Sequence, residues 1–160
     1  MKNQHKIVKL IVAILEEDNH TISFAESCTG GRLASAFTAI SGVSSVFNGS
    51  CVTYSNKIKQ LWLGVDDEVL ERYGAVSSEC VSQMLEGIVK LSKSDYAIAI
   101  SGIAGPNGGS ELKPVGTVYI GLITPKTKEI FHYIFDGDRE QIQQKATDFA
   151  IGKLANLLKI

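Results

Sequence analysis

The chain divides into short apolar runs and longer stretches in which apolar residues recur at helical spacing. Apolar residues three and four positions apart predict an amphipathic helix over about 5–17. Runs rich in β-branched and aromatic residues predict strands at 21–25 and 51–55, and the almost entirely apolar "DYAIAISG" predicts a buried central strand at 95–102. The other predicted helices lie at about 29–40, within 56–73, at about 78–92 and at about 138–159.

Two apolar runs near the C terminus predict an antiparallel hairpin. "GTVYIGLIT" and "EIFHYIFDG" flank the polar turn "PKTK". Early alternation of strands and helices, followed by this hairpin and a closing helix, predicts an α/β fold. We expect a three-layer α/β/α domain with a mixed, mostly parallel sheet. A length of 160 residues fits one domain, so residues 1–160 are expected to form a single unit.

Composition and charge narrow the class of protein. An apolar fraction of 44% and a charged fraction of 21% are typical of soluble globular proteins. A net charge of −1 argues against nucleic acid as a partner, because nucleic-acid binding needs a basic face. The N-terminal apolar stretch is interrupted by Lys9 and is far shorter than the roughly 20 residues of a membrane span. We therefore expect a cytoplasmic protein with neither a membrane nor a nucleic-acid partner.

Three loops follow the predicted parallel strands and carry the most unusual residues of the chain. They are "ESCTGG", "YSNKIK" and "SGIAGPNGGSELKP". Ligands of open α/β sheets bind beyond the carboxyl ends of the parallel strands. The sequence therefore predicts a functional site where these three loops meet.

The turn "ESCTGG" has two interpretations. Ser27 or Thr29 could simply cap the following helix, with Gly30 and Gly31 easing the turn. The same geometry would expose N–H groups at a positive helix end, which suits a phosphate or a developing oxyanion. Its spacing does not match the phosphate-binding P-loop, since Arg32 is not the lysine of that motif. Spacing alone leaves both interpretations open.

The sequence offers no histidine that could activate a nucleophile in this turn. His5 falls on the first helix, His20 precedes the first strand, and His132 lies inside the hairpin. The three cysteines, which lack CxxC spacing, predict neither a disulfide framework nor a metal site. A thiol–histidine pair is therefore not expected, and the cysteines are expected to behave as small buried hydrophobes.

Lysines and carboxylates remain as possible bases. "TYSNKIK" brings Tyr54, Lys57 and Lys59 toward the predicted rim, with Asn56 as the expected helix cap. The pKa of a lysine side chain is about 10.4 in water, but burial lowers this pKa toward the range that a general base needs. A serine–lysine pair is thus a chemically sound route to amide hydrolysis, although the spacing alone is a weak signal.

The glycine-rich loop and the final helix supply candidate ligand groups. The loop does not match the GxGxxG dinucleotide fingerprint and runs into a strand instead of a helix. Its glycines fit a backbone that approaches a ligand closely and offers N–H groups to anions. In "GDRE", Asp138 is expected to cap the last helix, and Arg139 is either solvated or clamps a phosphate or carboxylate.

These motifs together resemble the CinA C-terminal domain family. "AESCTGG", "VTYSNKIK", "GAVS", "SGIAGPNGGSELKPVGTVYIGL" and "GDR" occur in the family's order, from about residue 5 to 158. The resemblance implies an α/β/α fold similar to anticodon-binding domains. It also implies hydrolysis of the carboxamide of nicotinamide mononucleotide (NMN) to nicotinate mononucleotide and ammonia in pyridine-nucleotide salvage, the activity of the family's stand-alone amidohydrolases.

The resemblance assigns catalytic roles to Ser27 as the nucleophile, Lys59 as its base and Tyr54. The implied ligand-binding residues are Thr29, Gly30, Gly31, Gly102, Gly105, Asn107, Gly108, Gly109 and Arg139. The N–H groups around Thr29–Gly31 are expected to stabilise the oxyanion, and either Lys59 or Tyr54 is expected to protonate the leaving ammonia.

One position departs from the family pattern, and one alternative function stays open. Asn107 stands where the family motif GPDGG has an aspartate, which removes a carboxylate near the expected site. The serine–lysine chemistry requires no metal or organic cofactor. The expected partners are a small pyridine nucleotide and a second copy of the chain in a homodimer. The alternative is a non-catalytic module that holds a nucleotide or phosphosugar with the same loops.

Overall fold

A computed structural model describes residues 2–160 and shows one mixed sheet between two layers of helices. The strands are β1 (Ile22–Glu26), β2 (Phe47–Val52), β3 (Tyr96–Gly102), β4 (Thr117–Ile123) and β5 (Lys128–Ile134). The helices are α1 (Lys2–Glu17), α2 (Arg32–Thr38), α3 (Asn56–Leu63), α4 (Asp67–Tyr73), α5 (Ser78–Ser92) and α6 (Arg139–Leu157), and a 3₁₀ helix spans Val43–Ser45. The predicted α/β/α architecture is confirmed. The predicted domain range begins at residue 1, which lies outside the described residues.

The order of the strands brings three strand ends to one edge of the sheet. That order is β2-β1-β3-β4-β5, with β1 parallel to both β2 and β3. Glu26 at the end of β1 is in register with Val52 of β2 and Ile100 of β3. The carboxyl ends of the parallel strands therefore meet, as the sequence predicted. β4 and β5 run antiparallel, which confirms the C-terminal hairpin.

The sheet separates two apolar cores. Alternate residues of a strand face opposite sides of a sheet, so Phe24 and Ala25 of β1 belong to different cores. The larger core packs α1, α2 and α6 over Phe24, Ile98 and Ile120. The other core packs α3, α4 and α5 over alanines of β1 and β3. No helix within residues 2–160 is long and apolar enough to cross a membrane.

The loop after β2 differs from the prediction. We expected a strand at 51–55, but β2 ends at Val52 and the chain leaves the sheet before α3 begins. Ser55, and not Asn56, is the N-cap of α3, because its side chain accepts the Ile58 N–H at 3.2 Å. This cap places Lys59 one turn inside the helix, on its buried side.

The two longest later helices begin at side-chain N-caps, and the one expected at Asp138 is present. Ser77 caps α5 by accepting the Cys80 N–H at 3.1 Å. Asp138 caps α6 by accepting the Gln141 N–H at 2.9 Å, and the Gln141 side chain completes a capping box. The start of α6, where Arg139 is the first helical residue, is therefore well anchored.

Candidate active site

A cavity of about 240 Å³ lies at the carboxyl edge of the parallel strands. It is lined by Ser27, Cys28, Tyr54, Lys59, Ala75, Val76, Ser101, Gly102, Ile103, Ala104, Gly105, Asn107, Gly108 and Arg139. The lining therefore joins the three predicted loops with the start of α6. Of the predicted ligand-binding residues, Thr29, Gly30, Gly31 and Gly109 lie outside this lining.

Ser27 and Lys59 form a buried pair inside this cavity. The Lys59 Nζ lies 3.1 Å from the Ser27 Oγ, although the two residues are 32 positions apart. Only 1% of Lys59 is exposed, and its Nζ also lies 2.7 Å from the Thr53 carbonyl oxygen and 3.3 Å from that of Tyr54. The pairing expected for a serine nucleophile and a lysine base is therefore geometrically present.

Burial sets the ionisation of Lys59. Desolvation lowers the pKa of its amine below the ordinary 10.5, and the neighbouring Cys80 and Cys28 thiols oppose that shift only in part. Within residues 2–160, no carboxylate lies within ion-pair distance of Lys59. Burial therefore shifts the amine toward its neutral form, which is the form that a general base requires.

The cysteines are poor nucleophiles in this fold. Burial raises the pKa of Cys28 to about 12 and that of Cys80 to about 11, so both thiols stay protonated near neutral pH. Both side chains are buried, Cys51 is half-buried, and all three cysteines are free. The expectation that cysteines act as small hydrophobes fits this burial.

The carboxylate of Glu26 occupies the N-terminus of α2. It accepts the N–H groups of Gly31, Leu33 and Ala34 at 3.0–3.1 Å, as well as the hydroxyls of Thr29 and Ser50. Of the two interpretations left open for this turn, a cap by Ser27 or Thr29 is not present, since Gly31 stands at the N-cap without a side-chain bond. The helix end that was expected to bind an anion is filled by the protein's own carboxylate.

The N–H groups of Ser27, Gly30 and Gly31 donate within the chain, whereas those of Cys28 and Thr29 donate to no other residue within residues 2–160. The Gly30 N–H donates to the Ser27 carbonyl at 3.0 Å, and the Ser27 N–H donates to the Ile100 carbonyl at 3.0 Å. Gly30 reaches this position with φ of +60°, a conformation that favours glycine. Because a trans peptide is planar, the Cys28 N–H points away from the Ser27 carbonyl and hence away from Gly30.

The expected oxyanion donors are therefore corrected. The N–H groups of Gly30 and Gly31 donate within the chain, to Ser27 and Glu26, and are not available to a ligand. Within residues 2–160, the Cys28 N–H donates to no other residue and lies against the thiol of its own side chain, and Cys28 lines the cavity. Thr29, the third expected donor, lies outside the cavity lining, so Cys28 replaces the expected residues as the candidate donor.

Arg139 crosses the mouth of the cavity. Its guanidinium donates to the Tyr54 hydroxyl and to the Gly105 carbonyl, both at 2.6 Å. Both acceptors are uncharged, and no carboxylate within residues 2–160 forms an ion pair with Arg139. The positive charge of this side chain is therefore free to attract an anion. Tyr54, which is 58% exposed, stands beside it.

The glycine-rich loop forms a further wall of the cavity, beside Arg139 of α6. Gly102, Gly105, Asn107 and Gly108 line the cavity. Gly105 has φ of +78°, and a Cβ there would lie 2.5 Å from the Val115 side chain, so the turn requires glycine. The N–H groups of Gly105, Asn107 and Gly108 donate to no acceptor within residues 2–160. Gly109 instead packs against the Val115 backbone.

The histidines lie away from this cavity, as predicted. His20 lines a separate cavity with Tyr96 and Thr124 at the opposite end of the sheet. His132 stacks on Tyr119 in the hairpin. Within residues 2–160, no cluster of three His, Cys, Asp or Glu side chains is placed to hold a metal ion.

A larger cavity, of about 560 Å³, lies on the outer face of α3 and α5. Two of its polar groups are already paired, Asp66 with Gln83 and Glu86 with Lys128, while Lys90 also lines it. It lacks a paired nucleophile and base. The smaller cavity, which holds the buried Ser27–Lys59 pair, is therefore the candidate active site.

Sequence reasoning missed three residues at this site. Glu26 was quoted only as part of a motif, Ser101 as the end of a strand, and Gln143 not at all. Ser101 lines the cavity and donates to the Ala75 carbonyl at 2.7 Å, whereas Gln143 reaches the nucleophile turn from α6. A buried polar residue at the end of a central strand was the available signal for Ser101. Gln143 has no local signal, since its partner lies 115 positions away.

Comparison with known proteins places the chain in a family. The fold and site define an α/β/α domain with a serine–lysine pair at the sheet edge. The profile of the CinA C-terminal domain matches residues 4–158, and the chain belongs to that family.

Curated relatives of this family are much longer than the chain. A CinA-like protein of Fervidobacterium nodosum is 48% identical over 153 residues, which cover 96% of this chain and 37% of the relative. A CinA-like protein of Thermotoga neapolitana is 45% identical over 157 residues, which cover 98% of this chain and 38% of the relative. The chain thus spans little more than a third of the length of these relatives.

Solved structures of similar length share the fold throughout. Competence damage-inducible protein A of Klebsiella pneumoniae superposes with a TM-score of 0.93 at 35% identity, covering 97% of this chain and 96% of that one. A competence or damage-inducible protein of Enterobacter asburiae gives a TM-score of 0.94 at 33% identity and covers 98% of both chains.

Proposed function

We propose that this chain is an amidohydrolase that converts NMN into nicotinate mononucleotide and ammonia. The observation that carries the proposal is the buried Lys59 Nζ at 3.1 Å from the Ser27 Oγ, in a cavity that also holds the unpaired cation of Arg139. The substrate class follows from the resemblance of the sequence motifs to stand-alone members of the family.

The first step is attack by Ser27. A neutral Lys59 amine donates its two N–H groups to the Thr53 and Tyr54 carbonyls and directs its lone pair at the Ser27 hydroxyl. The Ser27 proton passes to the Lys59 Nζ as the Oγ bonds to the carboxamide carbon. The pyridinium ring of the substrate withdraws electrons and makes that carbon more electrophilic. The amide oxygen becomes an oxyanion.

The oxyanion needs donors that are fixed before the reaction. The Cys28 N–H is the candidate, because its peptide is held by the Gly30 N–H on the Ser27 carbonyl. A fixed donor of this kind is worth about 3–4 kcal/mol of transition-state stabilisation in known hydrolases. This assignment places the donor on the residue after the nucleophile.

Collapse of the intermediate releases ammonia. The protonated Lys59 Nζ returns its proton to the amide nitrogen, the C–N bond breaks, and an ester remains on the Ser27 Oγ. Water then attacks the ester while the neutral Lys59 takes its proton. Return of that proton to the Ser27 Oγ breaks the ester bond, releases the nicotinate carboxyl group and restores the pair. Every proton transfer uses the one amine that contacts Ser27.

The anionic part of the substrate is assigned to the mouth of the cavity. The Arg139 guanidinium and the free N–H groups of Gly105, Asn107 and Gly108 would hold the phosphate. Asn107, where the family motif has an aspartate, lines the same wall and leaves that wall uncharged.

The test is release of ammonia by the purified chain from NMN, nicotinamide and NAD side by side. We expect turnover of NMN and not of free nicotinamide, since nicotinamide lacks the phosphate that Arg139 would hold. Ser27→Ala is the matched negative control. Binding of NMN by calorimetry without ammonia release would contradict the enzyme and support the non-catalytic nucleotide-binding module. Equal turnover of nicotinamide would contradict the assigned role of the Arg139 wall.

A further inference from the structure

Gln143 connects the last helix to the nucleophile turn. It lies on α6, it is 9% exposed, and its Nε2 donates to the Cys28 carbonyl oxygen at 2.6 Å. Cys28 directly follows the nucleophile Ser27. Gln143 is 115 positions away from Cys28 in the sequence, yet its buried amide holds the Cys28 carbonyl. The reaction steps proposed above give this hydrogen bond no role.

The helix that carries Gln143 is itself fixed at its start. The capping box of Asp138 and Gln141 closes the first turn of α6. Arg139, at the mouth of the cavity, stands four residues before Gln143, so the two side chains share one face of the helix. One turn of α6 thus contacts the cavity mouth with Arg139 and the backbone of the nucleophile turn with Gln143.

The backbone of Cys28 is held on both sides. On one side, the Ser27 carbonyl accepts the Gly30 N–H and the Ser27 N–H donates to the Ile100 carbonyl. On the other side, Gln143 holds the Cys28 carbonyl. The Cys28 N–H lies between these anchors, so its direction depends on both of them. Loss of either anchor frees the residue to rotate.

We propose that Gln143 is a positioning residue that keeps the Cys28 N–H aimed at the oxygen of the reacting group. The inference rests on the proposed function for the reaction that uses this donor. Gln143 does not touch the substrate in this proposal. It acts through Cys28, by fixing the turn so that the oxyanion meets an oriented donor instead of one that must reorganise.

The side-chain amide is the group that the site requires. Gln143→Met keeps a similar length and apolar stem but removes the donor. Gln143→Glu keeps the shape and places a carboxylate oxygen against the Cys28 carbonyl oxygen. Gln144→Met is the matched control, because Gln144 is the exposed neighbour on the same helix and bonds only to Asp148.

Two measurements separate positioning from mere support of the fold. The first is kcat and KM for NMN, together with the melting temperature of each variant. The second is the rate at which phenylmethanesulfonyl fluoride labels Ser27, followed by mass spectrometry. This labelling uses the nucleophile, its base and the oxyanion donor, but it needs neither NMN nor the phosphate site.

We expect Gln143→Met and Gln143→Glu to lower both kcat and the labelling rate by at least about tenfold, with KM nearly unchanged. Gln144→Met should match the wild type in both measurements. Wild-type labelling of Gln143→Met, or a fall in labelling no larger than that of Gln144→Met, overturns the inference. If the wild-type chain is labelled at Ser27 but does not turn over NMN, the proposed substrate is contradicted. In that case, a lower labelling rate in Gln143→Met still supports the positioning role.

Discussion

The Nζ of Lys59 lies 3.1 Å from the Oγ of Ser27, in a site where burial lowers the pKa of the amine. The other close partners of the Nζ are the carbonyl oxygens of Thr53 and Tyr54, which accept its protons and cannot neutralise its charge. A lysine held this way is poorly solvated as an ammonium and well oriented as an amine. The pair is therefore suited to general-base chemistry.

The first prediction concerns the pH dependence of the reaction. Because desolvation lowers the pKa of Lys59, kcat/KM should rise with pH through an inflection below the ordinary 10.5. Lys59→Met should lower kcat by at least about a hundredfold, while calorimetric affinity for NMN changes little. Lys57→Met, which alters an exposed neighbour in α3, is the control. Weakened binding with near-normal kcat in Lys59→Met would assign the amine to the ligand instead.

The second prediction links the same lowered pKa to folding. Between the lowered pKa of Lys59 and 10.5, the unfolded chain holds a proton that the folded chain lacks. Stability therefore rises with pH in that window. The free energy of unfolding of the wild type, relative to Lys59→Met, should increase as the pH approaches 10.5 and stay constant below the lowered pKa. Urea denaturation of both proteins across this range measures the difference, and a difference that does not vary with pH would contradict burial of a neutral amine.

Local patterns predicted most of the fold. Apolar periodicity predicted α1 and α5 at nearly the right positions, because each of these helices buries one face against the sheet. The apolar run predicted β3 equally well, because a central strand is buried on both faces. The bounds of β2 were missed because Phe47–Val52 is an edge strand that carries Asn, Gly and Ser and is only partly buried. Such a strand lacks the apolar signal of a central one.

The site was predicted less completely, because its contacts are not local. The loops that meet could be named from the strand order, but the distance between Ser27 and Lys59 depends on how α3 leaves β2. Glu26 was overlooked as a cap because capping is usually the task of a short polar side chain at the position before the helix. Its carboxylate reaches back over the turn, a geometry that only the fold reveals.

The third prediction tests the Glu26 carboxylate as the anchor of α2. Glu26→Gln replaces one acceptor oxygen with a donor that faces the N–H groups of the helix end. We expect the free energy of unfolding to fall by roughly 1–3 kcal/mol, the usual effect of leaving buried donors without an acceptor. Glu17→Gln, at an exposed position of α1, should change it by less than about 0.5 kcal/mol. Equal stability of the two variants in urea would show that the carboxylate is not needed there.

The fourth prediction distinguishes the two adjacent candidate nucleophiles. Ser27→Ala should abolish ammonia release, whereas Cys28→Ala should retain most of it, because burial raises the pKa of Cys28 to about 12 and keeps the thiol protonated. The folded protein should also resist alkylation at Cys28 by iodoacetamide. An active Ser27→Ala protein beside a folded but inactive Cys28→Ala protein would reverse the assignment.

The last prediction separates the roles of Tyr54 and Lys59 in protonating the leaving ammonia. The Tyr54 hydroxyl accepts a hydrogen bond from Arg139 at 2.6 Å, whereas the Lys59 Nζ contacts the Ser27 Oγ at 3.1 Å. We therefore expect Tyr54 to orient the guanidinium for the phosphate, and Lys59 to return the proton. Loss of one hydrogen bond of this kind changes affinity by about 0.5–1.5 kcal/mol. Tyr54→Phe should thus raise KM for NMN by roughly two- to tenfold and leave kcat within about twofold.

One comparison variant changes the partner of Tyr54, and one control changes a tyrosine elsewhere on the protein. Arg139→Lys should raise KM further, because one ammonium cannot reach both the Tyr54 hydroxyl and the Gly105 carbonyl in the way a guanidinium does. Tyr133→Phe, which alters another exposed tyrosine on β5, should change neither constant. If Tyr54→Phe instead lowers kcat by about a hundredfold with KM unchanged, the phenol is the group that protonates ammonia, since that split is the sign of an interaction made only in the transition state.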